Sequence, residues 1–225
     1  MDDTYIILLI IGGTVLLVGG FLYVSYLFDK KRTEAIQLVA NEMGLAFEPK
    51  GDNTLLAGLS GFELFKHGHS KRLKNLIRGA TRQTEIALFD YRYTTGGGRH
   101  QQIWRQTVVL FRLNQASLPT FTLRPESVWD KLGAVLGFKD INFETHPDFS
   151  KRYVLKGQDE AAIRRVFNVR VLAFYEAEPN ICTEGAGDQL LVYRRAKQIK
   201  PEEWRAFLDE AFKVLTVFNS SSTGW

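Results

Sequence analysis

A single cysteine, Cys182, excludes any intrachain disulfide and fits a reducing compartment. With no Gly-Lys dipeptide, the chain has no Walker A phosphate loop. No H-E-x-x-H or C-x-x-C run is present, so no recognised metal motif stands out. Gly58-Leu59-Ser60-Gly61 is followed by Phe62, which misses a G-x-S-x-G nucleophile elbow by one residue. Two further absences are positional. No charge occurs between Tyr5 and Phe28, and no acid occurs between Glu63 and Glu85.

The first of these runs holds 24 residues, rich in Ile, Leu and Val. As a helix it reaches about 36 Å, against a hydrocarbon core of about 30 Å. Tyr5, Tyr23 and Tyr26 lie near its ends, where amphipathic rings favour the membrane interface. Asp2 and Asp3 precede it and no A-x-A pattern follows, which argues against a cleaved leader. Lys30, Lys31 and Arg32 come directly after Asp29, and no cation precedes the run. The positive-inside bias therefore predicts a single-pass anchor with residues 1–4 outside and the rest in the cytoplasm. In a bacterium this is the inner membrane. Gly12-Gly13 and Gly19-Gly20 recur seven apart, so a homodimer through this helix is an expectation, although G-x-x-x-G is lacking.

About 197 residues follow the anchor, with the apolar share of an ordinary globular chain. Omitting Asp2 and Asp3 raises the formal charge from +4 to +6, which favours a place beside an anionic leaflet. Residues 29–50 read as a juxtamembrane helix or stalk, with Ile36, Val39, Ala40 and Met43 at helical spacing and Gly44 as its stop. Residues 51–218 read as an α+β domain, with a possible subdomain break near 125–145. Residues 219–225 read as a flexible tail.

Strand patterns cover Phe62–Phe65, Asn75–Gly79, Glu85–Tyr93, Ile103–Leu113 and Thr120–Leu123. The two longest make a hairpin around Gly96-Gly97-Gly98. Glu126–Leu136 and Asp159–Phe167 read as helices, and Ile141–Phe143, Tyr153–Leu155 and Gln189–Tyr193 as strands. Val169–Tyr175 fits either state, and Glu184–Asp188 reads as a turn. Pro201–Phe218 is the clearest helix, with Trp204, Phe207, Leu208, Ala211, Phe212 and Leu215 on one stripe. Strands first and mixed elements afterwards predict an α+β fold built on an antiparallel sheet.

Chemistry is sparse. His67 and His69 share a face only if their segment is extended. His100 and His146 stand apart, and Cys182 reads as a buried thiol. No catalytic residue, metal ligand or cofactor is expected from these patterns. The strongest signal outside the anchor is the acid-free run, which carries Lys66, Lys71, Arg72, Lys74, Arg78 and Arg82. Beside a bilayer these cations suit anionic lipid or another acidic ligand. Nucleic acid is disfavoured, because no nucleic-acid motif accompanies them.

The segments Leu118 to Glu126 and His146 to Leu155, followed by Asp159-Glu160, resemble a loosely defined group of bacterial single-pass membrane proteins. The cytosolic domains of that group have no assigned activity. The resemblance implies the same topology and transfers no catalytic residue. The leading expectation is a non-enzymatic interaction or assembly domain with an unknown protein partner. Lipid or acidic-ligand binding comes second, and a hydrolase or metal enzyme using His67, His69, His146 or Cys182 third. A reporter fused after Trp225 tests the topology. It is expected to be active as a cytoplasmic enzyme and silent as an extracytoplasmic one.

Overall fold

The computed structural model describes residues 3–114, 117–126 and 139–222. Helix α1 (Asp3–Glu42) is unbroken. At 1.5 Å per residue its length is about 60 Å. It contains a stretch long and apolar enough to cross a membrane. Its second half is amphipathic, as the spacing predicts. Ile36 and Ala40 are buried, and Val39 and Met43 pack beside them. Gly44, in the left-handed region at φ 67°, ends the helix.

The strands are β1 (Ala46–Glu48), β2 (His69–Ala80), β3 (Thr84–Thr95), β4 (Gln102–Leu113), β5 (Leu118–Pro125), β6 (Tyr153–Gly157), β7 (Cys182–Gly187) and β8 (Gln189–Tyr193). They form one sheet in the order β1-β2-β3-β4-β8-β7-β5-β6. Every pairing in it is antiparallel. The protein is therefore α+β, with a long apolar N-terminal helix ahead of an antiparallel sheet. The hairpin read from the sequence is β3–β4, paired from Thr84↔Leu113 to Thr95↔Gln102.

Alternation along the strands gives the sheet two apolar faces. One face carries Leu88, Val109, Phe111, Leu123, Leu155 and Val192. It packs under α1 and under helices α4 (Pro147–Arg152), α5 (Glu160–Val166), α6 (Val169–Ala177) and α7 (Trp204–Ser222). The other face carries Phe89, Tyr91, Tyr93, Val108 and Leu191. Short helices α2 (Asn53–Gly58) and α3 (Glu63–Lys66) cover it, with Leu59, Phe62 and Phe65 pointing in.

Four readings change, and one left open is resolved. Phe62–Phe65 is not a strand, because Glu63–Lys66 forms a helical turn capped from β7. Glu184–Asp188 is not a turn, because its first four residues belong to β7. The glycine there answers a packing need: a Cβ on Gly185 would lie 2.3 Å from the Phe121 ring. Ile141–Phe143 is irregular, tied to β6 by Ile141 N–H to Leu155 O at 2.8 Å. Val169–Tyr175 resolves as helix, with the Asn168 side chain accepting from the Arg170 and Val171 amides. Helix α7 runs on to Ser222, past the Phe218 end. The helix expected over 126–136 lies outside the described residues beyond Glu126.

Helix α1 is fastened to the sheet by an ion pair between a partly buried arginine and a buried aspartate. Arg32 donates from Nε and Nη2 to the two carboxylate oxygens of Asp90, each at 2.8 Å. Asp90, on β3, also accepts from Asn75 Nδ2 at 2.9 Å and Thr107 Oγ1 at 3.0 Å. A bulge in β2 puts Asn75 within reach. Lys74 pairs with Asp90 and Ile77 with Leu88, so Asn75 and Leu76 together oppose Phe89. Asn75 adopts φ 53°, which asparagine tolerates better than most residues. Arg32 also donates to Ile199 O at 2.8 Å, and Trp204 Nε1 donates to the same oxygen at 3.2 Å, which joins α7 to the network. Removing one partner strands a buried charge. Asp90→Ala is expected to lower stability by about 3–5 kcal/mol. Asp90→Asn costs less, because its amide oxygen still accepts. Urea unfolding of the full chain in uncharged micelles measures both.

Candidate functional site

Two polar centres stand out, one on each face of the sheet. The first surrounds the Arg32–Asp90 lock. An inner cavity of about 50 Å³ there is lined by Asp29, Arg32, Arg72, Lys74, Asp90, Arg92, Arg105 and Gln198, among others. A second, more open cavity of about 520 Å³ shares Asp29, Arg32, Arg105 and Gln198 and extends to Lys31, Phe28 and Ser25. Cations therefore line the place where α1 leaves the uncharged run.

The second centre lies under α3. Glu184 is buried, yet its carboxylate is well served. It accepts from Arg124 Nη2 at 2.9 Å, Tyr193 Oη at 2.8 Å, and the Glu63 and Leu64 amides at 2.6 and 3.1 Å. Those amides are the unpaired donors at the start of α3, so Glu184 works as a cap supplied from another strand. Glu63 is also buried, with Lys66 Nζ at 3.3 Å and His67 Nε2 at 3.1 Å from its carboxylate. A cleft of about 270 Å³ opens alongside, with Lys66, Thr122, Lys156 and Gln158 in its wall. Burial lowers the His67 pKa from its ordinary value, against the Glu63 charge, which raises it. Burial pushes the Cys182 thiol up to about 11, so it is held protonated.

The basic residues of the acid-free run do not act together. Lys66 faces Glu63. Lys71 donates to Phe65 O at 2.6 Å. Arg78 pairs with Glu48 at 3.0 Å and Asp52 at 2.5 Å. Arg82 is exposed between β2 and β3. Only Arg72 and Lys74 reach the junction cavity. The run is mainly strand β2 rather than a loop, and its alternation and bulges send neighbouring cations to different places.

The interface residues also divide. Tyr23 and Tyr26 are exposed on α1, while the Tyr5 side chain lies outside the described set. Lys30 is exposed beside Glu34, and Lys31 lines the outer cavity. Arg32 instead turns inward, its side chain 18% exposed. A Cβ at Gly12, Gly13, Gly19 or Gly20 would meet nothing within 4 Å.

The histidines scatter. Gly68, at φ 67°, turns the chain between His67 and His69, and a Cβ there would strike Thr94 O at 2.3 Å. His67 meets Glu63, and His69 is exposed beside Ser70 and Gly96. His146 lies 3.1 Å from Glu176, and His100 is exposed in a short 3₁₀ turn at 98–100. Among the described residues no three His, Cys, Asp or Glu side chains gather as a metal site.

Arg92 and Arg105 were missed in the sequence. Each sits alone between uncharged strand residues. Their only signal is symmetry, since they fall opposite one another when β3 and β4 are folded about the Gly96–Gly98 tip.

No protein-family model matches the chain, and no curated protein matches it. Among solved structures, the crystal structure of the mycobacterial trehalose monomycolate transport factor A, TtfA, is similar in fold. The TM-score is 0.57 at 15% identity, over 86% of this chain and 93% of that one. At that identity the likeness is one of fold.

The partly buried His67 imidazole gives a pH signature. The unfolded chain takes up the His67 proton at about the ordinary 6.5, and the folded chain only at lower pH. Its contribution is therefore intact above 6.5 and lost as pH falls toward the folded value. His67→Gln is expected to reduce the stability difference between about pH 7.5 and about pH 5.5. Urea midpoints of parent and variant at both pH values measure it.

Proposed function

We propose that this protein is a non-enzymatic, membrane-anchored domain that binds or assembles a partner protein at the cytoplasmic face. The observation that carries this reading is the continuity of α1 through the Arg32–Asp90 lock. The uncharged run and the sheet share one unbroken helix, so the sheet is presented at a fixed distance from the anchor. The two polar centres support the same reading. Glu184 spends its acceptors on Arg124, Tyr193 and the start of α3, and Cys182 is buried and protonated. These groups hold elements together and are poorly placed to exchange protons with a substrate. The likeness of fold to a protein described as a transport factor offers a precedent for such an accessory role.

Leu38 on α1 and Val169 at the start of α6 are apolar and exposed, at 63% and 68%, and suit photo-crosslinking side chains. Irradiation of membranes carrying the full chain is expected to give a discrete adduct with a membrane protein from at least one position. Saturable turnover by the purified full chain, abolished by one polar substitution and without any adduct, would replace this reading with an enzymatic one.

A further inference from the structure

The junction cavity holds a row of like charges that the fold does not neutralise. Arg72 on β2 lies opposite Arg92 on β3, and Arg92 lies opposite Arg105 on β4. All three line the inner cavity. Like charges directly across neighbouring strands repel and destabilise a sheet. The two carboxylates of the cavity are already engaged. Asp90 serves Arg32, Asn75 and Thr107, and Asp29 lies 3.4 Å from Lys74. Among the described residues no acid pairs with Arg72, Arg92 or Arg105, and Arg92 Nε is buried without a hydrogen-bond partner. The cavity beneath α2 is a useful contrast. It also contains two arginines, Arg78 and Arg112, but Glu48, Asp52 and Glu85 neutralise them.

We infer that the junction cavity is a binding site for a phosphate group, held by Arg72, Arg92 and Arg105. Three guanidinium forks offer more donors than the two oxygens of a carboxylate can accept, whereas a phosphate presents acceptors in several directions. The size agrees. A water needs about 10–15 Å³ of cavity, so about 50 Å³ holds roughly three to five of them, close to one phosphate group. The outer cavity leads from Arg105 past Lys31 to Ser25 and Phe28, at the end of the uncharged run. That route suits the headgroup of an anionic phospholipid entering from the bilayer surface. The same chemistry admits a free phosphate from solution. Bound anion would screen the arginine row and so offset its repulsion. The inference goes beyond partner binding and stands without it.

Calorimetric titration of the full chain in uncharged micelles tests it, with inorganic phosphate, dihexanoyl phosphatidic acid and dihexanoyl phosphatidylcholine as probes. Saturable binding of phosphate or phosphatidic acid is expected, and none of the choline lipid. Arg92→Gln and Arg105→Gln should each weaken that binding about ten- to hundredfold. The exposed Arg170→Gln should leave it unchanged. Ligand-free Arg92→Gln should melt no lower than the parent, because one repelling charge is gone. Arg105 is the more exposed of the pair, which keeps the test readable should Arg92→Gln fold poorly. Binding of phosphatidic acid alone assigns the lipid headgroup, binding of inorganic phosphate alone assigns a soluble source, and binding of both assigns the phosphate group itself. The inference is overturned if neither anion binds, or if both arginine variants bind as the parent does.

Discussion

The bidentate contact between Arg32 and Asp90 is the constraint on which the rest of the molecule depends. It joins a helix from the start of the chain to the centre of the sheet, and through Ile199 O it reaches the turn before α7. Coulomb attraction alone would not justify burying the pair, since desolvation cancels much of it. The surrounding donors tip the balance. Asn75, Thr107 and the paired N–H groups of Arg32 leave Asp90 fully hydrogen-bonded, so the charge is buried without being abandoned. The β2 bulge, the αL asparagine and the threonine on β4 all serve this one carboxylate.

A parallel solution holds the opposite face. A helix of four residues has too few internal hydrogen bonds to stand alone. Glu184 supplies what α3 lacks, accepting its first amides while Arg124 and Tyr193 stabilise the carboxylate from the sheet side. Aromatic packing completes the layer. Phe65 lies 4.5 Å from Tyr91, Tyr91 stacks on Tyr93, and Tyr93 on Trp104, whose far neighbour is the Arg195 guanidinium. The two faces thus use the same device, a buried carboxylate with every oxygen occupied, to fasten a helical element across the sheet.

Local pattern and tertiary context explain what could be read from the sequence. The β3–β4 hairpin, α7 and the stalk face of α1 are legible because their apolar spacing is regular over eight residues or more. Phe62–Phe65 and Glu184–Asp188 were misread because their state depends on distant partners: the first on the Glu184 carboxylate, the second on the Phe121 ring above Gly185. The candidate site was half visible. Arg72 and Lys74 belong to a conspicuous basic run, whereas Arg92 and Arg105 are single cations with uncharged immediate neighbours in long strands. Composition counts charges along the chain, but register decides which of them meet. Arg32 shows the converse. It ends the basic triplet that follows the uncharged run, and geometry turns it inward onto Asp90.

The unbroken course of α1 makes the protein a lever. A helix of about 60 Å with no proline between the uncharged run and the Asp90 contact transmits rotation along its length. Apolar helices meet changes in bilayer thickness by tilting. A change of about 10° would swing a point 30 Å along the axis by roughly 5 Å. The sheet and its arginine row would move with it, so with the uncharged run in a bilayer, the thickness of that bilayer would become a variable that the sheet registers as position.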